Sequence, residues 1–218
     1  MPADPATNSS PNVAGVLGRY VNHDDPFVRF ASLWAVCAVL FVTAWYVGYY
    51  LLPAGLLRST NAASALPEYA GSVWAEFLTI FAWNLGAALL VVAGNTFRSV
   101  RTPLGYLVVA VNWVQGALVW GTGSLAVEAP RFAPSLSVAL GRSGVYELTA
   151  YVAIAVATRG VMVWHQRSGS RWREEFERVQ SPRDWTISRR ELGVLLAGLV
   201  VLAGANYREA TMIARAVG

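Results

Sequence analysis

Lysine is missing altogether: all 17 basic residues of the 218-residue chain are arginine, a compositional bias with no mechanism attached to it. Cysteine occurs once, at Cys37, so an internal disulfide and a cysteine-built metal cluster are both excluded. The two histidines, His23 and His165, flank apolar runs and do not fall within them. Charge is scarce as well, at 14% of residues. It is also segregated, leaving stretches of about 20 residues almost free of it, the length that crosses a hydrocarbon core. The first fifteen residues lack a basic region and an adjacent apolar core, so they read as a short tail and not as a signal peptide.

What is abundant points the same way. Hydrophobic residues make up 55% of the chain and tryptophan occurs nine times. We therefore expect an all-α polytopic membrane protein, a bundle of about five transmembrane helices, with residues 1–25 as an N-terminal tail and 26–218 as one helical membrane domain. The expected spans are 30–52, 73–94, 104–125, 144–164 and 191–207. Asp25-Pro26 and Thr102-Pro103 each look like a helix cap followed by a first-turn proline, and Ser188 with Glu191 fits a capping box. Arginine counts set the orientation: eleven lie on the side of the N-terminal tail, the 95–103 turn and the 165–190 loop, against five on the other. That asymmetry predicts a cytoplasmic N-terminus and an external C-terminus, in the cell membrane. Within the 165–190 loop, Trp172, Phe176 and Val179 recur at helical spacing, predicting a short amphipathic helix over about 171–179 at the membrane interface.

Polar groups inside spans are costly unless paired, which makes them the first place to look for function. Here they are Glu76, Asn84, Asn112, Gln115 and Glu147. A rise of ~1.5 Å per residue puts Asn84 and Asn112 both near mid-bilayer, where they are placed to bond each other as helix glue. The same rise leaves Glu76 and Glu147 within about 6 Å of the outer ends of their helices, where Arg142 or water can reach them. A structural tie and a proton- or ligand-binding role are both open for Glu147. Small residues suggest the packing: Gly193, Ala197 and Gly204 line one face of the last span, and Gly116, Gly121 and Gly123 serve the third.

The stretch 141–144, Gly-Arg-Ser-Gly, resembles the nucleophile motif of rhomboid proteases. A serine hydroxyl needs a general base, and no later span carries a histidine. His165 falls at the far end of the same predicted helix, about 33 Å along the axis from Ser143. The second-span histidine of those enzymes is also absent, with Ile80 standing there before Asn84. We expect no catalytic residue; Ser143 is better placed to cap the helix beside Gly144.

A wider resemblance runs over about residues 73–160. The segments "FLTIFAWNLGAALLVVAG" (77–94), "TPLGYLVVAVNWVQGALVWGTGS" (102–124) and "SGVYELTAYVAIAVATRG" (143–160) resemble the stage II sporulation protein M family. Asn84, Asn112, Gly144 and Glu147 fall on the family's positions in order, while Ser143 stands where its members have histidine. The resemblance implies a non-enzymatic membrane scaffold or complex subunit linked to cell-envelope organisation, partnered by the lipid bilayer and by other membrane proteins or copies of itself. It implies no cofactor, no metal and no nucleic acid. The alternative from the residues themselves is a small transporter, channel or lipid-handling protein using the intramembrane Glu and Asn groups.

Overall fold

The computed structural model describes residues 13–59, 69–99, 101–125, 130–166 and 176–217. A short helix, α1 (Val13–Val21), precedes α2 (Pro26–Tyr50), α3 (Val73–Asn95), α4 (Leu104–Thr122), the short α5 (Leu136–Gly141), α6 (Gly144–Ala157) and α7 (Arg189–Val217). Four of these, α2, α3, α4 and α7, are long and apolar enough to cross a membrane. Their outward faces are apolar too: Leu78, Leu89 and Leu90 of α3 and Val200 of α7 are all exposed. Over the most apolar window of α3, with mean hydropathy 1.9, only 17% of the residues are buried. Water would not tolerate such a surface at this extent; lipid does.

Local chemistry explains most helix ends. The Asp25 carboxylate accepts from the Phe27 amide at 2.8 Å and from Val28 at 3.3 Å, capping α2, and Pro26 fits the first helical position. The capping box of α7 is reciprocal, with the Glu191 amide donating to the Ser188 hydroxyl and the Ser188 amide to the Glu191 carboxylate. The start of α4 differs from expectation: buried Pro103 takes the cap position without a side-chain bond, and Thr102 belongs to a strand.

Three further departures concern the regular elements. α6 stops at Ala157, not near Trp164, because the chain turns at Thr158–Gly160 and then extends. Thr158 marks the stop, its hydroxyl donating to Ile154 O at 2.7 Å. α7 in turn runs ten residues past its expected end, to Val217. And the fold is not purely helical: β1 (Phe97–Ser99), β2 (Thr102–Pro103), β3 (Trp164–Gln166) and β4 (Glu177–Arg178) form a small sheet in the order β2-β1-β3-β4. β1 and β3 are parallel, with Arg98 opposite His165.

That sheet corrects the amphipathic-helix reading where it can be compared. Trp172 and the rest of 167–175 lie outside the described residues. Residues 176–179 are extended, with the Val179 amide donating to Val163 O at 2.9 Å and the Phe176 ring meeting Phe97 edge-on. The Phe176 ring thus finds protein rather than an interface, while the Val179 side chain is exposed. The tail reading needs a similar change, since α1 occupies 13–21; residues 1–12 lie outside the described residues.

The core is aromatic. Phe41 and Trp45 of α2 meet Trp113 and Trp120 of α4 in edge-to-face pairs 5.3–5.8 Å apart, the geometry that ring quadrupoles favour. Two of the core indoles are satisfied: Trp45 Nε1 donates to Phe132 O and Trp113 Nε1 to Leu148 O. The two backbones close in at Gly48 and Gly121, where a Cβ on Gly121 would stand 2.7 Å from Tyr49 N. Just beyond the crossing, the Arg131 guanidinium donates to Gly121 O and to Gly48, Tyr49 and Leu52 carbonyls. One side chain thereby satisfies the orphan carbonyls at the ends of two helices.

Candidate functional site

The polar residues singled out in the spans separate into two groups. Glu76 is spent locally, its Oε2 accepting from the Ala70 amide at 2.9 Å before α3 begins. Gln115 is exposed and lines an apolar groove with Leu40, Leu107 and Val111. Asn112 does not meet Asn84; Asn84 bonds elsewhere, so the expected pairing of the two amides is corrected.

Asn84 instead joins a cluster at the junction of α3, α6 and α7. Its Nδ2 donates to Asn206 Oδ1 at 2.8 Å, and its Oδ1 accepts from the Tyr151 hydroxyl at 2.9 Å. Asn206 is fully buried and its Nδ2 makes no hydrogen bond among the described residues. One turn further along α7 comes Glu209. The Glu147 carboxyl lies against that of Glu209 and against the Ser143 hydroxyl, within electrostatic range of Tyr151. Glu147 Oε1 is buried and makes no hydrogen bond among the described residues. Two carboxylates this close repel one another unless a proton or a cation sits between them.

The start of α6 explains the Gly-x-x-Glu spacing. A Cβ on Gly144 would lie 2.9 Å from Cζ2 of Trp120, so only glycine lets α6 approach the aromatic core there. Glu147 follows one turn later and faces α7. Ser143 occupies the cap position in helical backbone conformation and makes no capping bond, which corrects the capping role. His165 lies beyond the other end of α6, on β3, far from Ser143. Arg142 stacks over the Phe132 ring at 3.7 Å, and burial holds its guanidinium below its ordinary range, partly offset by the Glu209 charge. Among the described residues no three His, Cys, Asp or Glu side chains converge as a metal site requires.

Reading from residues alone missed Glu209 and Asn206. Asn206 was open to the rule that found Asn84, a lone amide within an apolar run. Glu209 carried a weaker signal: nothing between Tyr207 and Val217 is a proline or glycine, so nothing stops the helix. The small-residue face of α7 is also corrected. Gly193, Ala197 and Gly204 point outward, exposed, and a Cβ on Gly193 or Gly204 would meet nothing within 4 Å. The packed glycine is Gly198, whose Cβ would stand 2.9 Å from Ala153 Cβ on α6.

Fold and site together define a mostly helical protein with four helices that can span a membrane and a carboxyl–amide cluster between three of its helices. Comparison with protein-family models, with curated proteins and with solved structures finds no match.

Proposed function

We propose that the chain is a non-enzymatic multi-pass protein of the cell membrane, acting as a scaffold or as a subunit of a membrane complex. In this reading α6 is a fifth, sheltered crossing, the N-terminus is cytoplasmic and the C-terminus is external. The observation that carries it is the use made of polar side chains in the apolar helices: they tie helix to helix. Asn84 bonds Asn206 and Tyr151, and Asn95 bonds Ala155 O and Thr158. Arg29 bonds Val156 O and Glu191. The outward faces are mainly apolar, as at Leu78, Leu89, Leu90 and Val200. The resemblance to stage II sporulation protein M, carried by Asn84, Asn112, Gly144 and Glu147, adds a role in organising the cell envelope. Purification from native membranes in mild detergent tests the scaffold reading. A stoichiometric partner or a defined homo-oligomer is expected; a solitary monomer at native expression level overturns it.

The Glu147–Glu209 pair favours one second reading, a small proton- or cation-handling transporter. Under it, Glu147→Gln and Glu209→Gln each abolish a proton or sodium flux measured in proteoliposomes. Under the scaffold reading no flux is present to lose, and both variants stay folded.

A further inference from the structure

The end of the bundle that carries the sheet holds a second polar site, unrelated to the carboxyl cluster. A cleft of about 250 Å³ is lined by Gly18, Arg19, Asn22, Arg98, Arg101, Arg159 and His165. These residues come from α1 and the turn after it, from β1 and the β1–β2 turn, from the turn after α6, and from β3. Four arginines therefore converge from three separate chain segments. Among the described residues none of these four arginines pairs with a carboxylate, unlike Arg29, which pairs with Glu191, and Arg190, which pairs with Asp25.

The lining is assembled, and two of its guanidinium groups keep an unused donor. Arg98 is held in place by donating from Nη2 to Arg159 O at 2.9 Å, while β1–β3 pairing sets Arg98 opposite His165. Arg98 Nε and Arg159 Nε are buried donors without hydrogen-bond partners among the described residues, whereas the Asn22 amide already donates to Gly18 O and Thr102 Oγ1. Beside Arg98 and Arg159 lies the Tyr106 side chain, 3% exposed, whose hydroxyl is likewise without a partner. Burial first, then the neighbouring Arg159 and Arg29 charges, push the Arg98 guanidinium below its ordinary range. Like charges gathered at partial burial raise one another's energy, and an oxyanion placed among them removes that cost while filling the free donors.

We propose that this cleft binds a phosphate oxyanion, with Arg98 and Arg159 as its inner donors and Arg19 and Arg101 at its mouth. Guanidinium forks match phosphate geometry, and a basic pocket at the headgroup level of a helical bundle is where an anionic phospholipid presents that group. A free phosphate compound presents the same chemistry. The lipid source rests on the multi-pass reading given above; the phosphate chemistry does not.

The test uses the full chain, purified in detergent and in nanodiscs, with binding read by native mass spectrometry and by thermal melting. The probes are inorganic pyrophosphate in phosphatidylcholine nanodiscs, and phosphatidylglycerol mixed into the same nanodiscs. Retention of phosphatidylglycerol identifies the headgroup as the source; protection by pyrophosphate alone identifies a soluble phosphate. In either case Arg98→Gln/Arg159→Gln weakens binding, by roughly fivefold per arginine removed. Arg215→Gln, at the other end of the molecule, leaves it unchanged. Should the inner double variant not fold, Arg19→Gln/Arg101→Gln replaces it, because those exposed side chains make no hydrogen bond among the described residues. Binding of neither probe, or equal binding by wild type and the arginine variants, overturns the proposal.

Discussion

Arg29 on α2 and Glu191 on α7 are 162 residues apart in sequence and 2.7 Å apart in space. The same guanidinium donates to His23 O, Asp24 O and Val156 O, so one side chain gathers α2, α6 and α7 at the end that carries the sheet. The Arg29 side chain is 3% exposed and that of Glu191 18%, which makes the pair costly to break from one side only.

Glu191→Gln leaves the Arg29 charge buried beside a neutral amide, and we expect a loss of about 3 kcal/mol. Replacing both, as Arg29→Met/Glu191→Met, removes the stranded charge and recovers much of that loss. Thermal melting of the purified variants in one detergent gives the comparison. A double variant less stable than Glu191→Gln would contradict the assignment of the cost to the unpaired charge.

Two glycine-to-alanine substitutions should act in opposite directions. Gly121→Ala drives a methyl into the backbone of α2 at Gly48 and Tyr49, and we expect roughly 1–3 kcal/mol of destabilisation. Gly193→Ala meets open space, so improved helix propensity stabilises α7 by up to about 1 kcal/mol. Equal effects on melting temperature would mean that α7 packs through its small-residue face after all.

Acid should loosen the start of α2. The Phe27 amide, with smaller help from the Val28 amide, Arg190 and His23, holds the Asp25 carboxyl below the usual carboxylate range against a modest opposing effect of burial. A depressed carboxyl contributes stability above its unfolded-state value and loses that contribution as pH falls through its lower folded-state value. The stabilisation is therefore complete at neutral pH and fades below about pH 4. Asp25→Asn keeps a cap but cannot titrate, so its melting temperature should fall less steeply over that acid range. Parallel acid limbs for the two proteins would exclude Asp25 as the source.

Topology can be read by cysteine labelling, because the one native thiol, Cys37, is fully buried. Ser137→Cys and Arg183→Cys place exposed thiols at opposite ends of the bundle. In intact cells a membrane-impermeant maleimide should label position 137 and leave position 183 untouched until the cells are lysed. The reverse pattern would invert the proposed orientation.

Residue patterns alone located α2, α3, α4 and the beginning of α7, because apolar length and capping chemistry are local properties. They were poorer at faces. A helix apolar all round has no preferred side in its sequence, so Gly193 and Gly204 looked as suited to packing as Gly198. Only the alanine-rich surface of α6 decides between them. They also misjudged α6, whose apolar run continues through Val161, Val163 and Trp164 although the helix does not. Strand pairing with β1, a contact more than sixty residues away in the chain, takes over there. Glu209 was hidden for a related reason: its importance comes from a partner on another helix, and its own neighbourhood reads as an ordinary exposed helix end.

The shortness of α6 has a consequence for how this molecule would meet a bilayer. Fourteen residues of helix cover about 21 Å, against a hydrocarbon thickness near 30 Å. The difference falls on the 158–160 turn, whose polar groups would otherwise face lipid. They do not, because Asn95 donates to Ala155 O and to Thr158, Arg98 to Arg159 O, and Arg29 to Val156 O. Residues 150–157 are buried throughout, so over this stretch a bilayer would meet the long helices and not α6. The irregular backbone at its foot is a recessed floor whose carbonyls are already taken by protein donors, and the bilayer would have less need to thin around it.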